Sequence, residues 1–153
     1  LSDGAGGILI EKAKENKKYF SNIKAEIDNK GILNYNVESN LYMNGKEVYK
    51  YAVTNTVENI KELLNTADEN IENIKYIIPH QSNLKIMKAI ATRLDINKEK
   101  IYINIGKIGN TFCASIPIAI SDMLEQNMLK RGDKIILLGY GGGLNTGSIL
   151  LEF

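Results

Sequence analysis

Short apolar runs alternate with segments of helical period along this chain, and that alternation leaves few folds open. Residues 75–79, 101–105 and 134–138 are brief and almost continuously apolar, as strands covered on both faces must be. Ahead of the first, Val48, Ala52, Val57, Ile60, Leu63 and Leu64 recur at helical spacing, which predicts an amphipathic helix of roughly 20 residues entered at Asn44-Gly45. Leu84, Met87, Ala91 and Leu94 give the buried stripe of a second helix, with Ser82 as its cap. A third follows Gly106–Asn110 and runs to about Asn127, with Pro117 tolerated only near its first turn, where a missing N–H costs little. Gly132-Asp133 turns into the 134–138 strand, and Gly141-Gly142-Gly143 breaks the chain before a last, antiparallel strand over 147–153. Strands alternating with helices predict an α/β fold, a mixed sheet covered by helices.

The first third is less regular. Ala5–Ile10 reads as a strand leaving a glycine turn, Glu11–Lys18 as charged and solvated, and Ser21–Asn44 as an Asn-rich excursion with one or two short strands. Asp3-Gly4-Ala5-Gly6-Gly7-Ile8-Leu9-Ile10 echoes Gly141-Gly142-Gly143-Leu144 through Ile149-Leu150-Leu151. Residues 1–10 are therefore expected to be the last strand of a truncated, homologous N-terminal half, 11–45 an irregular connection, and 46–153 the domain proper. The mixed sheet is expected to have five strands.

The 153 residues suit a single core, and 44% hydrophobic with 24% charged residues is ordinary for a soluble globular protein. A formal net charge of +1 gives no basic field to attract nucleic acid. No apolar run approaches the roughly 20 residues that cross a bilayer. The start lacks a basic-then-apolar leader and reads as a cut inside a longer protein. One cysteine forms no internal disulfide, which fits a reducing cytoplasm.

The chemistry concentrates at two passages. His80, the only histidine, sits where an apolar strand ends and a helix begins, the edge at which open α/β sheets place ligands. It is either a partly buried histidine bonded to a carbonyl or a neutral base or donor. No second histidine exists to support a metal site. Gly109-Asn110-Thr111 places an amide at a similar passage thirty residues on, as a turn or as a second donor to one oxygen. Gly141-Gly142-Gly143 is a tight hairpin or a set of backbone donors for an oxyanion, without the spacing of a dinucleotide site. Cys113 is a small buried residue or, paired with His80, the nucleophile of a thiol hydrolase or transferase. Lys85, Lys88 and Arg93 share much of one side of a helix, as solvated surface or as a basic patch for a phosphate-bearing carrier.

Together these segments resemble the C-terminal half of the 3-oxoacyl-acyl-carrier-protein synthase III family, the initiating ketosynthases of type II fatty-acid synthesis. Pro79-His80-Gln81-Ser82-Asn83-Leu84-Lys85 resembles the family's histidine motif, and Gly109-Asn110-Thr111 through Ala114-Ser115-Ile116-Pro117 its asparagine motif. Gly139 through Gly147 resembles its glycine-loop ending, Met43–Lys50 the entry to its long helix, and Asp3-Gly4-Ala5-Gly6 the end of its first half. The likeness is dense from Tyr42 onward and weak over 12–41.

The resemblance implies the C-terminal half of a thiolase-like fold and an acyltransferase that joins an acyl-CoA starter to malonyl-acyl-carrier protein by decarboxylative Claisen condensation. His80 and Asn110 would be catalytic, and Gly142 would supply an oxyanion-hole N–H. Asn83 and Gly45 would accommodate the pantetheine arm or CoA, and Gln81, Ser82, Asn83, Leu84, Lys85, Lys50 and Arg93 would meet the carrier protein. Thr92 stands where relatives often have a second basic residue. The nucleophilic cysteine belongs to the family's first half, so the fragment is expected to be inactive alone, and Cys113 is not assigned that role. No metal or cofactor is implied, acyl-CoA and malonyl-carrier protein being substrates. The expected partners are acyl-carrier protein, the missing half and a second copy in a homodimer, without nucleic acid or membrane. The rival readings are a related condensing enzyme of another pathway, the Cys113 thiol hydrolase, and a non-catalytic docking or dimerisation module.

Overall fold

In the computed structural model, residues 1–10, 12, 17–36 and 39–153 are described. A four-stranded sheet of order β1-β6-β5-β4 is built from β1 (Tyr19–Ala25), β4 (Tyr76–Pro79), β5 (Lys134–Gly141) and β6 (Asn145–Glu152). It is mixed: β4 and β5 run parallel, while β6 is antiparallel to both β5 and β1. A separate hairpin joins β2 (Leu33–Asn36) and β3 (Ser39–Met43). The helices are α1 (Gly45–Thr66), α2 (Leu84–Leu94), the single turn α3 (Ile105–Ile108) and α4 (Ser115–Glu125).

Period and caps explain the main helices. α1 turns Ala52, Val53, Val57, Ile60, Leu63 and Leu64 inward, and Asn44 caps it by accepting the Glu47 N–H at 3.3 Å. α2 buries Ile86, Met87, Ile90 and Ala91 and ends at Asp95 in the left-handed region (φ 54°), which its short polar side chain tolerates. These two helices pack against Ile77, Ile136, Leu138 and Leu150 to form the larger core. On the sheet's other face α4 brings Ala119 and Met123 against Ile78, Ile135 and Tyr102. Tyr19 and Ile23 of β1, on the opposite side of that strand from core-packed Phe20, remain 64% and 77% exposed.

Several expectations are corrected, beginning with the strand count: among the described residues the sheet has four strands, not five. The 101–105 segment pairs with β4 through a single parallel bridge, Ile77 to Ile101, and then bends into α3. Residues 1–10 form no strand, and Leu9 and Ile10 are largely exposed. β1, hidden in the Asn-rich stretch, is instead a full partner of β6 over seven residue pairs. Within 11–18, read as solvated, residues 11 and 13–16 lie outside the described residues. The cap of α2 is Asn83, which accepts the Lys85 N–H at 2.8 Å, not Ser82. The second-helix stripe also shifts: Leu84 is 41% exposed, and Ile86 and Ile90 are buried. Pro117 is the third residue of α4, inside the first turn as its missing N–H requires.

Candidate active site

The carboxyl end of β4 continues β-like for one more residue, since the His80 N–H bonds to Leu138 O at 2.7 Å. That bond carries the histidine off the sheet's rim. Its imidazole is mostly buried, with Nδ1 at 2.7 Å from Ser115 Oγ at the start of α4. The Tyr140 ring meets it edge-on, centroids 5.6 Å apart at 67°, and the Tyr140 hydroxyl bonds to Ser82 Oγ. Burial pushes the His80 pKa below the ordinary imidazole value and the Tyr140 pKa up to about 12, so both stay neutral near neutral pH. Among the described residues His80 makes no other side-chain hydrogen bond. Nε2 is not one of the sealed, unpartnered atoms, which are Asn59 Nδ2 and Thr111 Oγ1. It retains solvent access.

Asn110 is pinned in the same manner. Its Oδ1 accepts the Phe112 N–H at 2.9 Å, and its backbone carbonyl accepts the Ser2 N–H at 2.9 Å. Among the described residues its Nδ2 has no partner, so the amide's donor end is free. Asn110 follows α3 rather than a strand, and Gly109 reaches it at φ 80°, a backbone suited to glycine. The first residues of the chain lie over this loop. A Cβ on Gly4 would stand 2.8 Å from Thr111 Cγ2, and one on Gly6 2.6 Å from Pro117 Cβ. Because Ser115 belongs to the segment that begins with Asn110, the His80–Ser115 bond ties the two motifs together.

Gln81 departs from its expected docking role because its side chain is buried and fully engaged. Nε2 donates to Pro79 O at 2.9 Å and Tyr102 O at 3.0 Å, and Oε1 accepts the N–H groups of Asn104 at 3.0 Å and Ile105 at 3.2 Å. It is the bridge between the end of β4 and the 101–105 segment. Asn83, Leu84 and Lys85 are exposed at the start of α2, and Ser82 is half-buried against Tyr140. Lys50 is exposed on α1, where Arg93 of α2 reaches across to Thr54 Oγ1 at 3.2 Å. Thr92 turns back onto Lys88 O at 3.1 Å.

Gly45 opens α1, and no atom lies within 4 Å of where its Cβ would be. Gly142 sits exposed in the β5–β6 turn, its carbonyl held by Asn145 Nδ2 at 2.6 Å and its N–H without a partner among the described residues. Cys113 is exposed rather than buried, beside a cleft that it shares with residues 2–6 and 111–114. Among the described residues no hydrogen bond joins it to His80, whose Nδ1 bonds to Ser115. Among the described residues no group of His, Cys, Asp and Glu could hold a metal ion, and no helix is long and apolar enough to cross a membrane.

Residues missed from the sequence are Ser115 and Tyr140. A serine opening a helix reads as a cap, and a tyrosine before three glycines reads as the end of a strand. Only the tertiary contact reveals either.

Residues 64–153 match the family model for 3-oxoacyl-acyl-carrier-protein synthase III, C terminal. Beta-ketoacyl-acyl-carrier-protein synthase III of Clostridium novyi is 42% identical over 153 residues, covering 99% of this chain and 44% of that protein. The crystal structure of the Aquifex aeolicus 3-oxoacyl-acyl-carrier-protein synthase III superposes with a TM-score of 0.88 at 36% identity, over 93% of this chain and 46% of that one. The Pseudomonas aeruginosa enzyme of that name gives 0.82 at 30% identity, over 88% and 43%. The chain spans about half the length of the curated relatives it matches.

Proposed function

This chain belongs to the 3-oxoacyl-acyl-carrier-protein synthase III family and has its thiolase-like fold, and we propose that it supplies the enolate-stabilising half of a condensing active site. One observation carries the proposal. His80 and Asn110 are each anchored at one polar atom, Nδ1 on Ser115 and Oδ1 on the Phe112 N–H, and each leaves a nitrogen free to donate. In the proposed reaction a malonyl thioester on acyl-carrier protein breaks its bond to the carboxylate carbon and releases carbon dioxide. The electron pair moves onto the thioester oxygen as an enolate. His80 Nε2–H and Asn110 Nδ2–H hold that oxygen, and each is worth about 2.7–4 kcal/mol in the transition state, by the loss seen when one oxyanion-hole donor is removed. The enolate carbon then attacks an acyl-cysteine thioester, and the thiolate leaves. That cysteine lies outside this chain in the proposal, and the Gly142 N–H meets the oxyanion of the attack.

The other assignments rest on exposure and charge. Gly45 leaves open space and Asn83 a surface amide for the pantetheine arm or CoA. Leu84, Lys85, Lys50 and Arg93 form the docking face for acyl-carrier protein, with Ser82 at its inner edge and Gln81 stiffening it from beneath. Residues 1–10 are assigned to the end of the preceding half, 11–45 to a connection and 46–153 to the catalytic domain. A cytoplasmic homodimer without cofactor completes the reading.

The test uses a polypeptide spanning the relatives' full length. His80→Ala and Asn110→Ala should each slow malonyl decarboxylation about 100- to 1000-fold while acyl transfer from acyl-CoA largely survives. Lost acyl transfer with normal decarboxylation refutes the assignment.

A further inference from the structure

Ser115 Oγ is buried and touches two polar groups, His80 Nδ1 at 2.7 Å and the Gln81 N–H at 3.3 Å. The backbone N–H is always a donor, so Oγ accepts from Gln81. If Nδ1 also carried a proton, Oγ would accept twice, and its own hydrogen would need an acceptor. None exists for it among the described residues. If the ring proton is on Nε2, the hydroxyl donates to the bare Nδ1 and every group in the trio is satisfied.

We infer that Ser115 is a positioning residue that holds the His80 imidazole in its Nε2–H tautomer and so keeps the ring's donor on the nitrogen that no described residue engages. The tautomer stands on the hydrogen-bond arrangement alone; the use of that donor on a substrate oxygen rests on the proposed function. The surroundings agree with a fixed, neutral ring. Tyr140 packs on its edge, and burial disfavours the imidazolium that would carry protons on both nitrogens.

The presence of a single histidine makes the test direct. With isotope-labelled histidine, the imidazole nitrogen shifts of the protein at mildly alkaline pH report one ring. The expected spectrum is that of the Nε2–H form. Ser115→Ala should move the population toward Nδ1–H, and Ser115→Thr, which keeps a hydroxyl, should restore it. An Nδ1–H wild type overturns the inference whatever the variants do, as does a Ser115→Ala ring still wholly Nε2–H. In the full-length polypeptide, Ser115→Ala should slow malonyl decarboxylation roughly tenfold, the worth of one hydrogen bond, with acyl transfer unchanged. An Nε2–H wild type that decarboxylates no malonyl thioester would sink the proposed function and leave the tautomer assignment standing.

Discussion

Gln81 shows how much of the site depends on one buried amide. Its four hydrogen bonds satisfy two carbonyls and two N–H groups that strand geometry leaves unpaired where β4 stops and the 101–105 segment bends away. Gln81→Ala strands several of them. Each buried polar group left without a partner costs about 1–3 kcal/mol, so a net loss of about 2 kcal/mol or more is expected after local relaxation. Calorimetry should then show Tm lower by roughly 5 °C for a chain of this size, and an unchanged Tm would show the bridge to be dispensable. His80 and Asn110 stand out in the sequence because strand ends and glycine turns leave a local signature. The sequence did not reveal that Gln81 faces inward while its neighbours Asn83, Leu84 and Lys85 face outward. In an irregular loop no periodicity orients a side chain.

At the scale of elements, Glu69 is the clearest staple. It follows α1, its side chain is 3% exposed, and it meets Lys18 ahead of β1 at 2.8 Å, Lys134 at the start of β5 at 2.6 Å and Asn73 at 2.8 Å. Lys134 and Lys18, the leading causes, hold its carboxyl well below the ordinary value of 4.5. A carboxylate whose folded pKa is depressed stabilises the fold above its unfolded pKa, and that contribution fades as pH falls through 4.5 toward the folded value. Glu69→Ala should therefore cost about 2 kcal/mol at neutral pH, less than a fully buried pair because both lysines reach solvent. The variant should also lose part of the wild type's acid sensitivity in denaturant titrations at pH steps. Parallel pH curves would count against the staple.

Elements with strong periods, α1, β4, β5 and the β5–β6 hairpin, were legible in the sequence. β1 was not, because Ser21, Asn22 and Lys24 interrupt its apolar residues and Asn22 finds its partners on α1, Asn59 O and Glu62. The 101–105 run misled for a different reason. Gln81 captures the Asn104 and Ile105 N–H groups, and the chain turns before a ladder can form.

For the molecule as a whole, the two faces of the sheet are covered unequally. α1 and α2 cover one face, whereas α4 covers the other chiefly over β4 and β5. Tyr19 and Ile23 on β1, with Ile8, Leu9 and Ile10 ahead of it, remain exposed. An open apolar face beside an edge strand favours association. Light scattering on this chain should show mass rising with concentration, and Ile23→Lys should reduce the rise; a monomer at high concentration would contradict it. Long-range consequences of this kind were only partly legible, since the sequence gives the apolar residues of β1 but not the face on which they lie.

The close seating of Gly4 and Gly6 against Thr111 and Pro117 carries a consequence for how the site matures. The loop that presents Asn110 is held by the chain's opening residues, more than a hundred positions away, as well as by its own neighbours. Until those residues are seated, the carboxamide's loop lacks part of its support, although none of them enters the hydrophobic interior. Readiness for chemistry is therefore separable from stability.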